Sequence, residues 1–404
     1  MPHRKRQNSR KVTRVSPPVA AVVGRGRIYV GNGIYRRLRA LLARSRQSVD
    51  YLRPMKFLRL SHFIPKVRLG NAWLLAGFCC LCGSVLAEEA PKILPLMSAP
   101  PKALRAEKKA VVALPNYDEV TATRLQIFLD NNDFGPGKID GEMGEFFRKA
   151  LLAYKRAHLM PLRGTVDQWL LDQVPEPFTN YTIPPEAENF VGPTASKPSE
   201  QAKLKALKYG SLLEFVAERF HSAEDYLRKL NRPMNLDELK PGDTVRVPNV
   251  LPFKIEDLHE GFVPPNPAFA NRIVYVDTTE RFLLIYENNQ LVAEFPITPG
   301  STKLPAPIGV WKITGIAVLP VFRHDEGILN YGIKSDTAFI LPAGPNNPVG
   351  ILWMALSKPH VGIHGTNQPE TIGRAASHGC IRTANWDAAR VKELVTVGNI
   401  VSIF

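Results

Sequence analysis

Cysteine is scarce in this 404-residue chain. There are four, of which Cys79, Cys80 and Cys82 crowd into one apolar run and only Cys380 stands elsewhere. That distribution excludes a disulfide framework, which needs thiols spread along the folded part. Acidic residues are almost missing from positions 1–87, which hold eighteen Lys/Arg against Asp50 alone. This segment contributes +17 to a formal charge of +15, so residues 88–404 come to about −2. Nucleic acid is excluded as a partner, because it requires basic residues spread over a folded face. Long apolar runs are few as well. The one at 71–87 is too short and too rich in Gly and Cys for a transmembrane helix. It ends in Val85-Leu86-Ala87, a small-residue cleavage pattern, with Glu88-Glu89 after it. Residues 1–87 are therefore expected to be a basic leader and signal peptide cleaved after Ala87, directing export to the periplasm or cell envelope. Left uncleaved, the run would act as a membrane anchor. Met55-Lys56 would open a signal of more ordinary length. No third ligand accompanies His360 and His364, which stand four apart, so neither a metal nor another cofactor is expected.

Apolar periodicity divides the rest. Residues 88–116, rich in Ala, Pro and Lys, predict a linker. Over 117–175, Val120, Leu125, Ile127 and Phe128 predict one helix, the cluster at 131–137 a turn, and Phe146, Phe147, Ala150, Leu151 and Tyr154 a second helix. Residues 176–203 are Pro-rich and without period, predicting a second linker. Over 204–250, two short helical stretches precede Pro241-Gly242-Asp243 and a Val245-Arg246-Val247-Pro248 strand. After another Pro-rich stretch, 268–404 turns to strands. Short β-branched and aromatic runs at 273–277, 281–286 and 290–297 are split by turns such as Asn288-Asn289. Near the end, Thr383 or Asn385 is expected to cap a helix burying Ala388, Val391, Leu394 and Val395 and stopping at Gly398, before a final strand at 400–404.

Cys380 lies in Ser377-His378-Gly379-Cys380-Ile381-Arg382, and His364-Gly365-Thr366 precede it. A lone cysteine is more often buried and inert than reactive. Two histidines and flanking glycines shift that balance, because a thiol needs a base to become a nucleophile near neutral pH. The sequence order disfavours a papain-like peptidase, whose histidine follows its cysteine; no histidine follows Cys380.

These motifs carry a resemblance. Residues 271–404 resemble the L,D-transpeptidase (YkuD-type) catalytic domain in the opening strands, the His364-Gly365 pair, and the Ser-His-Gly-Cys-hydrophobic-Arg signature at 377–382. Ala306 stands where the family usually has Thr in the turn before Pro307-Ile308-Gly309. Leu125-Gln126, Asp140-Gly141 and Tyr154 through His158 resemble a small three-helix peptidoglycan-binding domain, and 204–250 is similar to a degenerate LysM module. The fold class implied is multidomain: a β-rich, mixed-sheet catalytic domain preceded by a small α-helical and an α+β wall-binding-like module. The resemblance also implies a mechanism. Cys380 attacks a stem-peptide carbonyl, expels the terminal D-amino acid and passes the acyl group from the thioester to an amine. His364 is the base, Gly365 orients it through its carbonyl, and His378, Gly379 and Cys380 supply the oxyanion hole. Arg382, Ser377, Trp353, Tyr331 and His324 are expected to bind substrate, and carbapenems to acylate the thiol. Peptidoglycan stem peptides and glycan are the implied partners, with an outer-membrane lipoprotein as a second acceptor. Two alternatives stand beside this reading: an L,D-carboxypeptidase hydrolysing the same thioester, and a non-catalytic peptidoglycan-binding protein.

Overall fold

The computed structural model describes residues 114–162, 168–301, 303–331, 333–374 and 379–404. The leader, the apolar run with its cleavage pattern and most of the first linker lie outside the described residues. Helix α1 (Glu119–Asn131) starts where Asp118 accepts a hydrogen bond from the Thr121 amide at 2.9 Å, an N-cap that satisfies one otherwise orphaned donor. Helix α2 (Glu145–Ala157) buries Phe147, Ala150, Leu151 and Tyr154, the three- and four-residue spacing of its sequence. A short α3 (Gln168–Asp172) follows.

Strand β1 (Phe178–Thr182) lies inside the stretch expected to be a Pro-rich linker, and this corrects that expectation. It runs antiparallel to β2 (Thr244–Pro248), pairing Phe178 with Pro248 through Thr182 with Thr244. Helices α4 (Leu212–Arg219) and α5 (Glu224–Leu230) sit between them in sequence, after a single helical turn at Pro198–Gln201. A five-residue edge strand amid prolines has too few alternations to show a period, and only its distant partner defines it.

From residue 261 onward one sheet dominates. Its strands are β3 (Gly261–Phe262), β4 (Arg272–Asp277), β5 (Phe282–Glu287), β6 (Gln290–Pro296), β7 (Thr298–Pro299), β8 (Gly309–Val318), β11 (Leu352–Leu356), β12 (Gly362–His364), β13 (Ile381–Arg382) and β14 (Ile400–Ile403). A separate hairpin pairs β9 (Phe322–His324) with β10 (Phe339–Leu341) around helix α6 (Glu326–Tyr331). The order β6-β5-β4-β14-β8-β11-β12-β13-β7 begins and ends on strands separated in sequence only by Ile297, so the sheet curls until its edges nearly meet. Asn288 and Asn289 both take positive φ (50° and 63°) in the two-residue turn between β5 and β6, the conformation that asparagine tolerates best after glycine. Neither expected residue caps the last helix, α7 (Asn385–Lys392), whose N-cap is Ala384. Asn385 accepts from the Ile351 amide and donates to the Pro345 carbonyl, while Thr383 donates to Pro296. Buried backbone elsewhere claims both side chains.

The helical segments and the sheet share one continuous apolar core running from Leu125 to Ile403. Phe146 of α2 packs on the outer face of β5, its ring edge-on to Phe282 at 5.4 Å. A polar joint crosses the same boundary. Asp130 of α1 takes a 2.6 Å bond from Arg390 of α7 and a 3.0 Å contact from His221 after α4, and all three are at least nine-tenths buried.

Two buried carboxyls are held toward their protonated forms. Burial pushes Glu218 up to about 8, against hydrogen bonds from Tyr209 and Asn385. It pushes Glu294 of β6 up to about 8 as well, against Arg156 and Lys149. A carboxyl whose folded pKa exceeds its unfolded one adds stability that is complete below the unfolded value, near 4.5, and lost as pH rises through about 8. Glu294→Gln is therefore expected to melt several degrees above the parent at pH 9 and to lose that advantage at pH 5. Calorimetry at the two pH values checks this, and an equal difference at both would mean Glu294 is ionised in the fold.

Candidate active site

Strands β12 and β13 run parallel, Ile363 beside Ile381 and His364 beside Arg382. Stepping back two residues on each strand sets Cys380 beside Gly362. Neighbours across a ladder share a face, so Cys380, His364 and Arg382 project to the same side. The far edge of β13 is held by β7, and the Thr383 amide donates to the His364 carbonyl at 2.9 Å.

His364 is 4% exposed, and its Nδ1 lies 2.6 Å from the Gly365 carbonyl. A carbonyl only accepts, so Nδ1 carries the proton and Nε2 keeps its lone pair. The Trp353 ring stacks on the imidazole at 5.5 Å and 23°. Burial, assisted by the Arg382 charge and opposed by the Gly365 carbonyl, lowers His364 to about 3. Burial pushes the Cys380 thiol up, and the Gly362 backbone and Arg382 offset part of that. Both shifts favour the neutral forms, thiol and imidazole. The thiol itself donates to the His360 carbonyl at 3.6 Å. Glycine is required at two points here. A side chain on Gly362 would meet the Trp353 ring at 2.6 Å, and Gly379 takes φ +92°.

These groups lie in a groove of about 1210 Å³ that also contains His324 and Trp353. Ile328 and Leu329 of α6 close one side. Their hairpin is fastened by buried Asp325, which accepts from the amides of Gly327, Ile328 and Ser335, the Ser335 hydroxyl and Arg323. Among the expected site residues, His364, Gly365, Gly379, Cys380, Arg382, Trp353 and His324 come together around this groove or its floor. Ser377, His378 and the Tyr331 side chain lie outside the described residues. Sequence reasoning missed the His360 carbonyl, the fastening role of Asp325, and Phe262 of β3, which is 83% exposed on the groove wall. Phe262 sits in a connector with no periodic signal, and the backbone of His360 (φ +63°) cannot be read from residue type. Among the described residues, no three His, Cys, Asp or Glu stand close enough to hold a metal ion.

Comparison with known proteins addresses the same stretch. YkuD of Bacillus licheniformis, named as an L,D-transpeptidase, is 29% identical over 197 residues, covering 49% of this chain and 96% of its own. YbiS of Escherichia coli, likewise named an L,D-transpeptidase, is 26% identical over 232 residues, covering 55% of this chain and 67% of its own. Among solved structures, an L,D-transpeptidase from Mycobacterium smegmatis aligns at 18% identity with a TM-score of 0.27, over 33% of this chain and 58% of that one. That superposition adds nothing to the sequence matches. The family model for the L,D-transpeptidase catalytic domain matches residues 271–403, which include the whole β12–β13 ladder and the groove residues from 304 on, so the C-terminal part of this chain carries that catalytic domain.

Proposed function

We propose that this protein is a peptidoglycan L,D-transpeptidase acting through Cys380 and His364. The observation that carries the reading is the parallel β12–β13 register, which sets a thiol and a correctly tautomerised imidazole on one face at the floor of a long groove. His364 Nε2 takes the thiol proton as Sγ bonds to the stem-peptide carbonyl carbon. The C–N bond then breaks, and the departing D-amino acid receives that proton. An acceptor amine next bonds to the same carbon, the C–S bond breaks, and the acceptor's proton returns through His364. Amides at 378–380 are assigned the oxyanion, and Arg382 a substrate carboxylate.

The same reading places the enzyme in the cell envelope, exported by the 71–87 run, with the preceding segments anchoring it to the wall. The helix pair α4 and α5 leading into β2, with β1 paired to it, supports a LysM-like role for that segment, and α1 to α3 a peptidoglycan-binding-like role. Among the described residues no helix is long and apolar enough to cross a membrane. Incubation with a tetrapeptide stem, followed by intact-mass analysis, is expected to show one adduct equal to the stem minus its terminal residue. Adding a second stem that carries a free side-chain amine should discharge it as a cross-linked peptide; discharge only by water makes the enzyme a carboxypeptidase, and absence of the adduct defeats the covalent reading.

A further inference from the structure

The groove has a charge that the rest of the fold lacks. Residues 88–404 carry about −2 overall, yet Arg323, Lys334, Lys358 and Arg382 line the groove against a single carboxylate, Glu260. These cations are not equally committed. Arg323 is spent on Asp325 at 3.0 Å and on the Ser335 carbonyl. Lys358 is exposed, with its ammonium 5.6 Å from the centre of the Trp311 ring, a contact that leaves its hydrogen-bond donors open. Lys334 is exposed on the hairpin side of the groove. Arg382 lies beside Cys380, and its Nε is shielded from solvent with no hydrogen-bond partner. A shielded guanidinium donor left unsatisfied in a binding groove is costly unless a ligand acceptor completes it.

We propose that the groove selects acidic stem peptides, those whose carboxylates are free rather than converted to carboxamides, with Lys334, between α6 and β10, and Lys358, between β11 and β12, as the selecting residues. This rests on the transpeptidase reading and names its substrate class. A carboxamide keeps the shape and hydrogen-bonding capacity of the peptide but removes the charge, so selection must come from the lysines and not from fit. Exposed pairs of this kind contribute modestly each, and two of them correspond to a preference of about 5- to 30-fold. Such a preference weakens with salt, because exposed charges are screened over about 10 Å at 0.1 M ionic strength and less at higher salt.

The test compares two tetrapeptide stems that share a free terminal carboxylate. In one, the internal carboxylates are free; in the other, they are carboxamides. Rates of Cys380 acylation are measured by mass at 50 mM and 500 mM NaCl, for the full chain and for the Lys334→Gln/Lys358→Gln variant. The expected result is a preference for the acidic stem of about 5- to 30-fold at low salt, reduced to below about 3-fold at high salt and in the variant. Equal rates for the two stems, a preference for the carboxamide, or a preference untouched by the double substitution each overturn the proposal while leaving the transpeptidase reading in place. Acylation by neither stem overturns both.

Discussion

His364→Ala is expected to slow acylation of Cys380 by a substrate stem by about 10²–10⁴-fold, the range for loss of a positioned proton acceptor. That is about 2.7–5.4 kcal/mol of transition-state stabilisation. Cys380→Ala in parallel should remove the adduct altogether, with stems and with carbapenems. The geometry makes the histidine prediction specific. Gly365 holds the Nδ1 proton, so Nε2 is free to accept, and Trp353 fixes the ring plane. The pH profile follows with a definite sign. His364 is lowered to about 3 and therefore stays neutral, and competent as a base, from about pH 4 upward. The acylation rate should be level between about pH 5 and pH 8, with no acid limb near 6.5. An acid limb at 6.5 that disappears in His364→Ala would show that His364 titrates at its ordinary value instead.

A small alkylating reagent probes the other half of this arrangement. Burial raises the Cys380 thiol, and the thiol donates to the His360 carbonyl. Alkylation should climb only on the alkaline side and change little in His364→Ala, because the imidazole acts when substrate is in the groove and not before. Comparable losses of alkylation and acylation in the variant would place the histidine's effect on the resting thiol.

What the sequence made legible is local. His364-Gly365 and 377–382 are short stretches that mark the candidate site by residue type, and Asn288-Asn289 names its turn. What the sequence could not convey is register. The parallel ladder sets His364 beside Arg382, two residues on from Cys380, and nothing in either segment specifies which residue stands beside which. β1 was invisible for the same reason, since its partner lies beyond two helices. Helix α7 shows the limit from the other direction. The spacing of Ala388, Val391, Leu394 and Val395 marks one buried face and says nothing of Asp387 and Arg390. The structure buries both, because the polar side docks against the helical segments. Charge on a helix normally marks its wet face, and only a partner hundreds of residues away reverses that.

That buried joint is where the largest stability effect is expected. Asp130→Ala should destabilise the fold by about 3–5 kcal/mol, the cost of leaving a buried cation without its partner. In a domain of this size that corresponds to a fall in Tm on the order of 10 °C. Burial alone would raise Asp130, but Arg390 and His221 outweigh it and hold the carboxyl at about 2. Its contribution is thus complete above the unfolded value near 3.8 and lost as pH falls through about 2. His221 adds to the acid side: burial keeps its pKa below the ordinary value despite Asp130, so the unfolded chain takes up a proton first, and stability declines below about pH 6.5. The charge is the cause to isolate. Asp130→Ala/Arg390→Met removes both partners and should recover most of the lost stability, since a well-packed apolar replacement of a buried pair is close to neutral. A double variant as unstable as the single one would mean that Asp130 matters through packing at the α1–α7 boundary and not through its charge. A Tm within about 2 °C of the parent in Asp130→Ala would show that the joint contributes little to holding the helical segments on the catalytic sheet.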